Sequence, residues 1–121
     1  MMSQTLSHYD AYTWGGDHKG SLGLGDAVGN YVSNPTKITV NVGNITWTQV
    51  ASGKWHSIAL SSNGEVFTWG DDFYGSLGHG GLGGRNVPTK VQYLSEERIV
   101  KVACGDKHSA ALTSTGKLFT W

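Results

Sequence analysis

The sequence is short of the residues that hold together most secreted or membrane proteins. Its one cysteine, Cys104, cannot close an internal disulfide, which leans toward a reducing compartment. No apolar run is long enough to span a bilayer. The opening residues 1–8 lack the apolar stretch of a secretion signal. Neither sign of charge dominates, because nine Lys and Arg offset nine Asp and Glu. A basic excess of the kind that grips DNA phosphates is therefore missing. Cytoplasm or nucleus is the expected location, with no membrane partner.

Glycine and aromatic residues are plentiful by contrast. Eighteen glycines, five tryptophans and five tyrosines in 121 residues point to many short strands joined by tight turns. The glycines have no three-residue period, which excludes collagen, and this aromatic content excludes disorder.

The chain repeats itself. Val50-Ala51-Ser52-Gly53-Lys54-Trp55-His56-Ser57-Ile58-Ala59-Leu60 returns 52 residues on as Val102-Ala103-Cys104-Gly105-Asp106-Lys107-His108-Ser109-Ala110-Ala111-Leu112. Asn63-Gly64-Glu65-Val66-Phe67-Thr68-Trp69 returns as Thr115-Gly116-Lys117-Leu118-Phe119-Thr120-Trp121 at the same spacing. Tyr12-Thr13-Trp14-Gly15 and Gly20-Ser21-Leu22-Gly23 match Phe67-Thr68-Trp69-Gly70 and Gly75-Ser76-Leu77-Gly78, here 55 residues on. Pro35 matches Pro88 at 53, so the first copy carries extra residues in its loops.

Each copy reads as strands. Phe67 and Trp69 fall on one side of a pleated strand, and Val66 and Thr68 on the other. Ser61-Ser62-Asn63-Gly64 is a hairpin turn. Strands are expected near 9–14, 36–41, 47–52, 56–61, 65–69, 88–93, 99–104, 108–113 and 117–121, and no helix. Four strands per period of about fifty residues, apolar on both faces, make the blade of a β-propeller.

The ordered set Trp-Gly, Gly-Ser-Leu-Gly, Pro and Val-Ala-x-Gly-x-x-His-Ser-x-Ala-Leu resembles the regulator of chromosome condensation repeat, over nearly all the chain from Tyr9 on. Kelch repeats carry a paired glycine before an outer aromatic pair, an arrangement missing here, and WD repeats are shorter. The resemblance implies an all-β partial propeller with one complete four-stranded blade flanked by two incomplete ones. We divide it as a tail at 1–8, an incomplete blade at 9–41, a complete blade at 47–93 and an incomplete blade at 99–121. Family members usually close seven blades, so the chain is expected to be a piece of a larger propeller. Phe119 and Trp121 read as core aromatics that lack a following blade, and Trp14, Trp69 and Trp121 share one core position.

In an up-and-down blade the first and third turns share a face of the disc. That face collects Lys54 and Trp55, Phe73 and Tyr74, and Asp106 and Lys107, all of which vary between copies. They are the candidate partner-binding residues, since exposed aromatics are common anchors. His56 and His108 repeat in place and are read as structural, and a catalytic pair with the adjacent Ser57 or Ser109 fails because neighbours on a strand point to opposite faces. Gly78-x-Gly80-x-x-Gly83 imitates a dinucleotide fingerprint, but Pro88 follows where a helix should open. No cofactor, metal set, small-molecule substrate or enzymatic constellation is expected.

What the resemblance implies for function is a protein-interaction module, as in ubiquitin ligases whose propellers recruit partners or ubiquitination substrates. The alternative it implies is part of a guanine-nucleotide exchange factor for a small Ran-like GTPase, with chromatin as a further family partner. The plant ultraviolet-B photoreceptor shares the fold, but its Gly-Trp-Arg-His-Thr motif stands here as Gly53-Lys54-Trp55-His56-Ser57, with the indole one place later.

Overall fold

The computed structural model describes residues 9–121, so the tail expected at 1–8 lies outside the described residues. Among the described residues nine strands form: β1 (Tyr12–Gly16), β2 (Tyr31–Lys37), β3 (Trp47–Ser52), β4 (His56–Ser61), β5 (Val66–Gly70), β6 (Arg85–Lys90), β7 (Ile99–Cys104), β8 (Ser109–Thr113) and β9 (Leu118–Thr120). They make three antiparallel sheets, β1-β2, β3-β4-β5-β6 and β7-β8-β9. The helical elements among the described residues are three-residue 3₁₀ turns at His18–Gly20, Asp26–Val28 and Gln92–Leu94. The chain is thus all-β, a complete four-stranded blade between two incomplete ones.

The middle strands β4 and β5 are buried throughout, because both of their faces are covered. Ala59, Phe67 and Trp69 pack toward the first sheet, with Leu22, Leu24, Ile38, Val42 and Trp47. Ile58, Leu60 and Val66 pack the other way, with Val91, Leu94, Ile99, Val102 and Ala111 of the third sheet and its approach. Burying each large side chain contributes roughly 1.5–3 kcal/mol, so a blade is held by its neighbours.

The hairpin at 61–65 is tighter in its demands than Asn-Gly suggested. Gly64 N–H donates to the Ser61 carbonyl at 3.0 Å and Ser61 N–H to the Glu65 carbonyl at 2.9 Å. This is a type I turn followed by one left-handed residue, and Gly64 alone takes the positive φ, at 81°. The same bonds recur at Thr113–Lys117 around Gly116.

The outer strands begin earlier than the sequence suggested. β2 spans 31–37 rather than 36–41, and β6 spans 85–90 rather than 88–93. Pro35 lies inside β2 rather than just before it, and Pro88 inside β6 rather than at its start. Both strands are edges, where a missing N–H costs no ladder bond. The residues after β6 turn into the 3₁₀ segment at Gln92–Leu94 instead. β1 also shifts, to 12–16, leaving Tyr9 as an isolated bridge to Trp47.

The repeated motifs earn their place at the junctions between sheets. Thr13 donates to the Leu22 carbonyl at 2.9 Å, and Leu22 N–H donates to Asp17 Oδ1 at 3.0 Å, which shapes the Gly-Ser-Leu-Gly loop. That loop offers the Ser21 carbonyl to two donors of the next sheet, Ser57 Oγ and Trp69 Nε1, both at 3.0 Å. Gly23 must be glycine there, since a β-carbon would sit 2.7 Å from Trp69 Nε1. One repeat on, Thr68, Leu77 and Asp72 reproduce the loop, and Ser109 Oγ donates to the Ser76 carbonyl at 2.7 Å.

These junctions correct two expectations about aromatics. Phe119 and Trp121 pack back against the second sheet rather than toward a following blade. Trp14 is not core: it is 59% exposed where its equivalent Trp69 is 2% exposed, because no Gly-Ser-Leu-Gly loop covers it among the described residues.

Candidate functional site

Backbone bonds gather the first turns and the long loops on one side of the array. Lys54 N–H donates to the Asp106 carbonyl at 3.1 Å, joining successive first turns. Asp71 N–H donates to the Trp55 carbonyl at 2.9 Å, joining the long loop after β5 to the turn before β4. As a result Lys54, Trp55, Phe73, Tyr74, Asp106 and Lys107 line a single depression, although they come from two repeats. His56, Asp71 and Ser76 complete its lining.

The depression is small, about 20 Å³, the room of a single water and too little for a metabolite. Its aromatic residues are open to solvent, with Trp55 39%, Phe73 69% and Tyr74 54% exposed. Phe73 and Tyr74 meet edge to face at 4.8 Å. The Lys54 ammonium lies 4.9 Å from the centre of the Trp55 ring, and the Lys107 ammonium 4.9 Å from that of Tyr74. Trp55 also rests on His18, with ring centres 4.7 Å apart.

His18 was missing from the candidates. The signal was available, because His18 stands 55 residues before Phe73, at the same place in the repeat. Asp71 and Ser76 were missed as well, and only the fold of the long loop brings them to the depression.

His56 lies beneath the surface, buried on β4. It does not meet Ser57, which is bonded to Ser21. Its Nε2 faces Ser109 Oγ of the third sheet at 3.1 Å and Cys104 Sγ at 3.4 Å. Burial lowers the His56 pKa, against an opposing pull from a backbone bond with His108 and from the carboxylates of Asp72 and Asp71. Burial pushes the Cys104 thiol up to about 11, so it stays protonated and unreactive near neutral pH. Among the described residues no cluster of three or more His, Cys, Asp or Glu is placed to hold a metal. Nor is any helix among them long and apolar enough to cross a membrane.

The chain is similar to several known proteins. It is 40% identical over 112 residues to the ultraviolet-B receptor UVR8 of Arabidopsis thaliana, matching 93% of this chain and 25% of the receptor. It is 38% identical over 110 residues to the probable E3 ubiquitin-protein ligase HERC3 of Homo sapiens, matching 91% of this chain and 10% of the ligase. The chain thus spans a quarter or less of the length of these relatives. Among solved structures it superposes on human WBSCR16 with a TM-score of 0.81 and 29% identity, covering 93% of this chain and 28% of that one. Prp20p of Saccharomyces cerevisiae, a structure described together with its binding to Gsp1p and histones, superposes at 0.79 over the same shares; at 24% identity this likeness shows the fold alone. The model of the regulator of chromosome condensation (RCC1) repeat matches residues 10–60 and 63–112, and this chain belongs to that repeat family.

Proposed function

We propose that this chain is a protein-binding module, without chemistry of its own, whose partner docks on Lys54, Trp55, Phe73, Tyr74, Asp106 and Lys107. The observation that carries this reading is their convergence: two repeats contribute to one small, aromatic, solvent-open surface. Lys54, Asp106 and Lys107 enter no ion pair among the described residues, which leaves their charges available for a partner's. The groups that could do chemistry are occupied elsewhere, His56 in a buried hydrogen bond and Cys104 as a protonated thiol.

The partner classes to assay are a small Ran-like GTPase, in view of the yeast protein's binding to Gsp1p, and a ubiquitination substrate, in view of the similarity to HERC3. Chromatin gains no support from a chain whose charges balance. Such partners place the module in cytoplasm or nucleus. Photoreception is not part of the proposal. Trp55 is packed with His18 and Lys54 rather than with another indole, and Trp47 and Trp69, 6.4 Å apart, are both buried.

The test is Trp55→Ala with Tyr74→Ala in the full-length protein that carries these repeats. Loss of the partner by thirty-fold or more, about 2 kcal/mol, with an unchanged melting curve is expected. Undiminished binding overturns the reading.

A further inference from the structure

The junction between the second and third sheets contains a short polar chain. Ser109 Oγ has one proton and gives it to the Ser76 carbonyl at 2.7 Å. Toward His56, 3.1 Å away, it can only accept, so His56 Nε2 carries a proton and donates. The chain runs from β4 through β8 to the long loop after β5, and every member of it is buried.

The other side of the ring has no room. A β-carbon on Gly53 would lie 2.3 Å from His56 Cε1 and 2.6 Å from His56 Nδ1, so the imidazole is pressed against backbone there. Gly53 N–H in turn donates to the His56 carbonyl at 2.8 Å. A second proton would have to enter at Nδ1, creating a charge in a buried, glycine-walled slot.

We propose that the His56–Ser109–Ser76 chain is a proton-operated latch. With the imidazole neutral it ties the second sheet to the third beneath the Gly53–Trp55 turn, and with the imidazole charged it lets that turn go. The groups facing the ring are Cys104 from β7, His108 from the turn before β8, and Asp71 and Asp72 from the loop after β5. Lys54, Asp106 and Lys107 stand with it around the depression. Burial is the largest influence and opposes the imidazolium, as does the nearby His108 ring, while the backbone bond with His108 and the two carboxylates favour it. The latch stands on this geometry whether or not a partner docks. That it also sets the pH range of docking rests on the binding face proposed above, since residues 54 and 55 directly precede the latch.

The test follows the imidazole and the junction together in the full chain. Histidine-selective NMR gives the titration of His56, and amide hydrogen exchange reads Cys104, Ser109 and Lys54 from about pH 7.5 down to about pH 5. Exchange at these amides, corrected for the intrinsic rate, should rise by up to about tenfold per pH unit as pH falls below the free-imidazole value of 6.5, and level off where His56 titrates in the closed junction. His56→Gln keeps a donor toward Ser109 and should flatten that rise. His79→Leu, which installs the residue found at the equivalent position Leu24, should leave the junction's rise in place. Junction amides whose exchange does not rise between pH 6.5 and the His56 titration overturn the latch, as does an unchanged rise in the glutamine variant. If that variant fails to fold, a rise in exchange that ends where His56 titrates in the unmodified chain decides alone. Trp55 and Tyr74 take no part in this readout, so loss of the docking proposal would leave its outcome intact.

Discussion

Trp55 rests on His18 at 4.7 Å, and one repeat later the Lys107 ammonium lies 4.9 Å from the centre of the Tyr74 ring. Trp55 and Lys107 hold one place in the repeat, while Tyr74 stands one residue beyond Phe73, the match of His18, so the ring passes from turn to loop. At the first junction the large ring comes from the short turn, and at the second it comes from the long loop. Each junction is closed on this face by a ring contact, while the group offered to solvent differs. A binding surface can therefore vary from repeat to repeat without loosening the array.

The Lys107–Tyr74 contact should be measurable as a coupling. A double-mutant cycle with Lys107→Ala and Tyr74→Ala, read by denaturant unfolding, is expected to give about 0.5–1 kcal/mol, the range of exposed cation–π pairs. Additive single effects would show that the two side chains merely lie near one another.

Two glycines with equivalent positions should respond differently. Gly53→Ala drives a β-carbon against the buried His56 ring and to 2.6 Å from the Gly105 carbonyl, so a loss of roughly 2 kcal/mol or more is expected. Gly105→Ala meets the ring of His108, which is exposed and can swing away, so its cost should be under about 1 kcal/mol. Thermal melts of the two variants side by side check this order.

Trp69 and Trp14 occupy one repeat position but differ in burial. Trp69→Phe removes the bond to the Ser21 carbonyl and leaves space in the core, for an expected loss of about 1–3 kcal/mol. Trp14→Phe should stay within about 0.5 kcal/mol of the unmodified chain. Equal losses would mean that Trp14 is covered in solution.

Cys104 gives a pH prediction at the alkaline end. The folded thiol ionises near pH 11 and the unfolded thiol near 9.0, so between these values the folded state holds a proton that the unfolded state has released. Stability should be unaffected by this group below the lower value and fall as pH rises through the window. Alkylation of the native chain by iodoacetamide should correspondingly be slow at neutral pH and accelerate toward pH 11. Rapid labelling at neutral pH would contradict the burial of the thiol.

Much of this architecture was legible in the sequence because a repeat declares its own period. The recurrence of Val50–Leu60 as Val102–Leu112 fixed the middle strands, and the alternation of Phe67 and Trp69 against Val66 assigned their faces. The starts of β2 and β6 were misjudged at Pro35 and Pro88, because proline's tolerance depends on whether a strand is an edge, a property of the assembled sheet. The six candidate residues converge as the strand order implied. His18 could have been found as the repeat equivalent of Phe73, but Ser109 against His56 did not follow from sequence, since that contact crosses from one sheet to the next over 53 residues. Strand periodicity speaks only of faces within a sheet.

The carbonyl of Ser21 and its donor Ser57 are 36 residues apart, and Ser76 and Ser109 are 33 apart. Each such bond straddles the end of one sheet and the start of the next, so the unit that carries its own fastening is not the unit that forms a sheet. A recombination joining two chains of this type between an acceptor and its donor would pair a loop with an unfamiliar neighbour. Duplication of a whole period, wherever its ends fall, regenerates every acceptor with its donors. Growth by entire periods is therefore the route of lengthening that this seam tolerates, and the three-residue difference between 36 and 33 shows how much slack it allows along the way.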